Sequence, residues 1–228
     1  KQFSASAAHE LRTPLAVMQT NLEVFARKKT PTIEEYQDIF GMIQNQTERL
    51  SHLSEVLLDM TGIQSVERSD FISLAELTDE VCCDLASIAD QKKVELIQEE
   101  GDCTVTGSYL LLYRAVYNLV ENAIKYNHSG GKVTVKISQK KDLPAAHSKP
   151  TDYALVEVTD TGIGISPEFQ EKIFDPFFRV DKSRSRAMGG AGLGLALVNE
   201  IARQHGGQVK VLASSENGST IALILPLS

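Results

Sequence analysis

The chain has 228 residues and 25.0 kDa, with 23 Lys+Arg against 30 Asp+Glu, a formal charge of -7 and a sequence pI near 5.3. A hydrophobic content of 42% supports a packed core and excludes a wholly disordered chain, and the length suits one large domain or two small ones. The acidic balance argues against a general nucleic-acid binder, no apolar run approaches the ~20 residues of a bilayer span, and no signal peptide is expected. Cys82, Cys83 and Cys103 are odd in number. Adjacent Cys82 and Cys83 make a poor disulfide pair and none has zinc-ligand spacing, so reduced thiols in a cytosolic setting are expected.

The first sixty residues read as helix. Phe3, Ala7, Leu11, Leu15, Met18, Leu22 and Phe25 recur at spacings of three and four, which is one helix stripe. The stripe breaks at Lys28-Lys29-Thr30-Pro31, and Thr32 with Glu35 forms a capping box for a second helix. Tyr36, Ile39, Ile43, Gln46, Leu50, Leu53, Leu57 and Met60 give that helix a coiled-coil-like seam. Two such helices make an antiparallel hairpin that buries too little surface alone. A dimeric four-helix bundle completes it; packing on the chain's own C-terminal domain is the alternative and leaves part of the seam exposed.

Residues 62–70 are polar and read as a linker. Ser73 with Glu76 then caps a helix reaching about Asp90, followed by short strands at 94–98 and 103–106 and a helix over 108–125. Strands at 133–138 and 153–159 flank a polar stretch holding Pro144 and Pro150. A helix over 191–205 is stopped by Gly206-Gly207, and strands at 209–213 and 220–225 close a hairpin around Asn217-Gly218. The class predicted is α+β, with a sheet covered by helices.

His9 lies two residues from both Ala7 and Leu11, about 200° around the helix, so it points away from the apolar stripe. Glu10 adjoins it, Thr13 lies one turn on along the same face, and Pro14 conflicts with the Glu10 carbonyl at a cost on the order of 3 kcal/mol. A neutral imidazole is a nucleophile, and a carboxylate accepting its Nδ1–H favours attack through Nε2. By themselves these residues fit a solvated helix surface equally well. The run Ser6-Ala7-Ala8-His9-Glu10-Leu11-Arg12-Thr13-Pro14-Leu15 resembles, almost residue for residue, the phosphoacceptor box of sensor histidine kinases. That resemblance implies that His9 takes phosphate from ATP, that Glu10 is the general base, and that Glu10 with Thr13 positions water when a phosphorylated partner is dephosphorylated.

No Gly-x-x-x-x-Gly-Lys-Ser/Thr motif occurs, and Gly189-Gly190-Ala191-Gly192-Leu193-Gly194 does not fit Gly-x-Gly-x-x-Gly, so P-loop and Rossmann readings fail. The glycines instead lead into a helix N-terminus, whose free N–H groups suit phosphate. Asn118 and Asn122 stand four apart with Lys125 three further on, and amide oxygens suit Mg2+. Asp160-Thr161-Gly162-Ile163-Gly164-Ile165 offers a carboxylate able to accept from an exocyclic amine. Phe174-Asp175-Pro176-Phe177-Phe178-Arg179 precedes a charged stretch, residues 180–188, with the character of a lid.

The order and spacing of these segments resemble the N, G1, F and G2 boxes of the histidine-kinase catalytic domain, residues 118–126 forming the N box. With the His9 box the resemblance spans essentially the whole chain. It implies the Bergerat α/β sandwich shared with gyrase B and the heat-shock chaperone ATPases, with ATP and Mg2+ bound. Asp160 would read the adenine amine beside Gly162 and Gly164, Asn122 would hold Mg2+ with Asn118 in support, and Lys125 and Tyr126 would contact nucleotide. Gly190, Gly192, Leu193 and Gly194 would pack at the phosphates, with Phe178 and Arg179 at the lid. Hydrolytic relatives carry a Glu one turn before the metal-binding Asn. Asn118 there cannot act as a base, which implies slow hydrolysis and ATP kept for His9. Ala191 departs from the common Ser or Thr, and Met188 is an unusually apolar lid end.

The combined expectation is a homodimeric kinase core: residues 1–66 for dimerisation and histidine phosphotransfer, residues 67–228 for ATP binding and catalysis. It would pass the phosphoryl group to an Asp of a separate response regulator, act as a phosphatase toward that regulator, and touch neither nucleic acid nor membrane directly. The resemblance implies the cytoplasmic portion of a longer, membrane-anchored sensor. A nucleotide-binding scaffold or phosphatase-dominant regulator is the alternative. An ATP-driven clamp conflicts with the His9 box and Asn118. His52, His128, His147 and His205 form no constellation and are expected to be structural or surface residues.

Overall fold

The computed structural model describes residues 2–141, 152–180 and 192–227, apart from the side chains of residues 2–6, 49, 52, 55, 59–61 and 64. Expectations placed on Gly189, Gly190, Ala191, Met188 and most of the lid, on Pro144, Pro150 and His147, and on the side chains of Phe3, Ser6, His52 and Met60 lie outside the described residues. The described residues form two compact units, one up to Thr61 and one of residues 62–180 and 192–227.

The first unit is a helical hairpin of α1 (Gln2–Ala26) and α2 (Ile33–Gly62). Its turn is fixed by the capping box: the Glu35 N–H donates to Thr32 Oγ1 at 3.2 Å and the Thr32 N–H to Glu35 Oε2 at 3.1 Å. Lys28 Nζ reaches Glu35 Oε1 at 2.5 Å, and the Phe25 ring meets Tyr36 edge-on at 5.0 Å. Pro14 lies within α1, which is helical on both sides of it. About half of Leu15, Leu22 and Tyr36 remains exposed.

The second unit holds β1 (Asp70–Ser73), α3 (Leu74–Lys92), β2 (Glu95–Gln98), β3 (Thr104–Gly107), α4 (Tyr109–Lys125), β4 (Lys132–Lys140), β5 (Tyr153–Asp160), α5 (Gly194–Gln204), β6 (Gln208–Ser215) and β7 (Gly218–Pro226). One sheet has the order β2-β4-β5-β7-β6, parallel only between β2 and β4. β1 and β3 form a separate antiparallel pair. α4 packs against both α3 and α5. Its buried residues, Leu112, Val116, Leu119, Val120, Ala123 and Ile124 among them, follow the helical period. They meet a sheet whose Val133, Val135, Val156 and Leu223 are buried. Each such aliphatic side chain contributes roughly 1.5–3 kcal/mol. The opposite side of α4 is left to carry polar groups.

The local signals account for the boundaries. Ser73 Oγ accepts from the Glu76 N–H at 3.2 Å and opens α3. At the end of α5 the Gly207 N–H reaches the Ala202 carbonyl at 2.8 Å and Gly206 takes φ +70°, a Schellman closure. Two expectations are revised. The stretch 62–70 is not simply a linker: Ile63–Ser65 is a 3-10 turn with Ile63 buried, and Asp70 begins β1. The last helix starts at Gly194 rather than 191, because Gly192 has φ +72°, which no helix accommodates. Among the described residues no helix is long and apolar enough to cross a membrane.

Candidate active site

Three sequence-distant segments meet at the polar side of α4. Asn118 Nδ2 donates to the Arg114 carbonyl at 2.8 Å, while its Oδ1 faces Gly194 at the start of α5. A β-carbon on Gly194 would fall 2.6 Å from Asn118 Oδ1 and 3.7 Å from Asn122 Nδ2, so any larger residue there would have to displace the Asn118 amide. At the C-terminal end of α4, the Tyr126 carbonyl accepts from the Ile163 N–H at 3.3 Å. A β-carbon on Gly162 would lie 2.5 Å from that carbonyl oxygen. The N-box helix thus touches both the Asp160–Gly164 loop and the helix that follows the last glycines.

Asp160 ends β5 and is held at both oxygens. The Gly162 N–H donates to Oδ1 at 2.7 Å, and Ser219 Oγ donates to Oδ2 at 2.6 Å. A carboxylate has about four acceptor positions, so room remains for an exocyclic amine. Ser219 was not among the sequence-derived candidates. It is buried and faces Asp160 only through the β5–β7 register, a long-range pairing with no local pattern. Gly164 has φ +64°, beyond the reach of most L-residues.

The F-box end closes on the same region. The Phe177 N–H donates to the Gly192 carbonyl at 2.8 Å, with Phe177 itself at φ +65°. The Phe178 ring packs on Phe169 at 5.7 Å. Burial pushes the Lys125 ammonium below its ordinary range; Glu121 opposes that shift, and the charges of Arg179 and Lys92 add to it. Burial likewise raises the Tyr126 hydroxyl, with the Arg179 charge opposing. Lys125, Tyr126 and Arg179 therefore share one electrostatic neighbourhood. The Leu193 side chain is 1% exposed and belongs to the core. Gly190 lies outside the described residues.

The donor set suits Mg2+ in one respect. Among the described residues no group of three or more His, Cys, Asp and Glu gathers to hold a metal alone. Two amide side chains beside a helix N-terminus match an ion that keeps waters and takes phosphate oxygens.

In the hairpin unit His9 is exposed on α1 and Glu10 is half-buried. Thr13 Oγ1 donates to the His9 carbonyl at 3.1 Å, one helical turn back. His9, Arg12, Thr13, Ala16, Val17, Thr20 and Asn21 line an open groove of about 480 Å³. His9 and the three convergent segments at α4 belong to different units.

Comparison with known proteins supplies what geometry alone does not. Residues 107–228 match the model of the histidine kinase-, DNA gyrase B- and HSP90-like ATPases, and residues 1–65 match the His Kinase A phospho-acceptor domain. The chain belongs to the sensor histidine kinases. It is 32% identical over its full length to the sensor histidine kinase RppB of Synechocystis sp., covering 49% of that protein. It is 31% identical over 99% of its length to the sensor histidine kinase WalK of Bacillus subtilis, covering 36% of it. The chain thus spans half or less of the length of these curated relatives. Among solved structures, the Acinetobacter baumannii histidine kinase AdeS aligns with TM-score 0.70 at 22% identity, over 96% of this chain and 98% of that one. Histidine kinase ThkA, solved in complex with response regulator protein TrrA, aligns with TM-score 0.74 at 23% identity, over 100% of this chain and 62% of that one. These two likenesses bear on the fold, which this histidine kinase core shares.

Proposed function

We propose that this chain autophosphorylates His9 from MgATP and transfers the phosphoryl group to an Asp of a separate response regulator. The observation that carries the reading is the convergence of Asn118, Asn122 and Gly194 with the Tyr126–Gly162 contact, in a chain that also bears the His9 box. Residues 1–66 serve as the dimerisation and phosphotransfer hairpin and residues 67–228 as the catalytic domain. Asn122, with Asn118, would hold Mg2+ through amide oxygens. The ion, when bound, neutralises charge on the β- and γ-phosphates. Asp160 accepts the adenine amine. Lys125, Tyr126, Phe178 and Arg179 contact nucleotide, and Gly162, Gly164, Gly190, Gly192, Leu193 and Gly194 let main chain approach it.

In the transfer step the His9 Nε2 lone pair forms the N–P bond. The bond from the γ-phosphorus to the bridging oxygen breaks, and its electron pair leaves with ADP. Glu10 accepts the Nδ1 proton. Asn118 cannot deprotonate water, so hydrolysis does not compete strongly. With phospho-regulator bound, Glu10 and Thr13 position water for dephosphorylation. The half-exposed seam supports a homodimer with four helices in its bundle. The family resemblance, not the seam, suggests that this core works on the cytoplasmic side of a membrane-anchored sensor.

The test is a chase. Chain pre-labelled from γ-labelled ATP is mixed in turn with each of a panel of response-regulator receiver domains. Label moving to the receiver within minutes, absent when the receiver Asp is changed to Asn, is expected. Label that stays on the chain with every receiver tried would contradict phosphotransfer.

A further inference from the structure

Lys92, the last residue of α3, lies outside every motif above. Its Nζ donates to the Ile124 carbonyl at 3.4 Å and also to the Lys125 carbonyl. These are C-terminal carbonyls of α4, outside its i→i+4 ladder, on which its dipole places partial negative charge; the Ile124 carbonyl also accepts the Asn127 N–H at 3.3 Å. Lys92 is half-buried, and desolvation lowers its ammonium below the ordinary range. The carbonyl bonds replace hydration that burial has removed.

The end of α3 is itself anchored. Lys93 takes a left-handed φ of 57°, its N–H returns to the Ala89 and Asp90 carbonyls, and its carbonyl accepts from the Gly130 N–H at 2.7 Å. One peptide beyond Lys125, the Tyr126 carbonyl receives the Ile163 N–H and abuts Gly162. A continuous line therefore runs from a fixed helix end, through the Lys92 ammonium, to the carbonyl on which the Asp160–Gly164 loop docks.

We infer that Lys92 is a positioning residue for the nucleotide pocket: by tying off the Ile124 and Lys125 carbonyls from behind, it fixes where the Tyr126 carbonyl and the Asp160–Gly164 loop stand. This rests on the ATP-site reading above. Lys92 touches no nucleotide group in this account and acts through α4.

Lys92→Met keeps the aliphatic stem and removes the donor, whereas Lys92→Arg keeps charge and donors. In autophosphorylation, Lys92→Met should raise KM for ATP about tenfold, the weight of one charge-assisted hydrogen bond, with kcat within about twofold. Lys92→Arg should restore KM. In nucleotide-free protein the Ile163 amide resonance should move in Lys92→Met and return in Lys92→Arg. Wild-type KM together with an unmoved Ile163 resonance would overturn the inference, as would lost kcat at unchanged KM. If Lys92→Met does not fold, Lys92→Gln replaces it and is judged by the same two readouts. Wild-type chain that fails to bind MgATP would sink the ATP-site reading instead, while the Ile163 resonance still judges Lys92 without nucleotide.

Discussion

Asp160 is poised before any ligand arrives, because Gly162 and Ser219 each donate to one of its oxygens. Asp160→Asn turns one oxygen into an N–H₂ that faces a donor, and it removes an acceptor for the adenine amine. We expect at least about tenfold weaker MgATP binding by calorimetry; wild-type affinity would remove Asp160 from the site. Gly194→Ala places a methyl 2.6 Å from Asn118 Oδ1 and must displace that amide. Loss of ATP binding with a melting temperature lowered by only a few degrees is expected, and intact binding would show that the amide need not stand there. His205 has a structural part: its Nε2 accepts the Ser108 N–H at 3.1 Å, and its Nδ1 faces the Ile201 carbonyl at 2.8 Å. Desolvation lowers its pKa below the ordinary 6.5, with the Ile201 carbonyl opposing that shift and the Arg68 charge adding to it. The unfolded chain therefore takes up the proton first. The stability owed to the neutral ring is full above about pH 6.5 and is lost as pH falls from there through the folded pKa. Urea midpoints should drop between pH 7 and pH 5, and His205→Gln should flatten that slope; an equal slope in the variant would assign it elsewhere.

At the level of elements, the hairpin turn rests on a reciprocal capping box, with Thr32 and Glu35 exchanging hydrogen bonds. Thr32→Ala should cost about 0.5–2 kcal/mol in denaturant titration, and a neutral result would mean the turn is held instead by the Lys28–Glu35 pair and the Phe25–Tyr36 contact. Leu22 is 44% exposed within one chain, so Leu22→Glu should dissociate a dimer in sedimentation while leaving helix content intact. A variant still dimeric would place the interface elsewhere. The Thr32–Glu35 capping box, the Ser73 N-cap, the helix stripes, and the strands of β4, β5, β6 and β7 were legible because their signals are local or periodic. β1 was not. Its four residues have no pattern of their own and exist through pairing of Asp70–Ser73 with Thr104–Gly107. The same reason hides Ser219, which meets Asp160 through sheet register, and Lys92, which reaches α4 across a helix-to-helix contact. That the asparagines, the Asp160 loop and the last glycines converge is what the resemblance of their order to the histidine-kinase boxes implies; the asparagine spacing alone fits a hydrophilic helix face equally well. How closely Gly194 approaches Asn118 could not be read without coordinates.

For the molecule as a whole, the proposed acceptor, exposed His9, lies in one compact unit and the proposed nucleotide site in the other. Phosphoryl transfer asks mainly for positioning and charge stabilisation, which amides, a lysine, an arginine and a helix N-terminus can provide without a strong base. The central claim is that phosphate from ATP ends on His9. The most direct measurement incubates wild type and His9→Gln with Mg2+ and γ-labelled ATP and treats the labelled protein with acid and alkali. Label that is acid-labile, alkali-stable and absent from His9→Gln is predicted. Equal labelling of both proteins, or none in wild type that binds ATP well, would contradict the account.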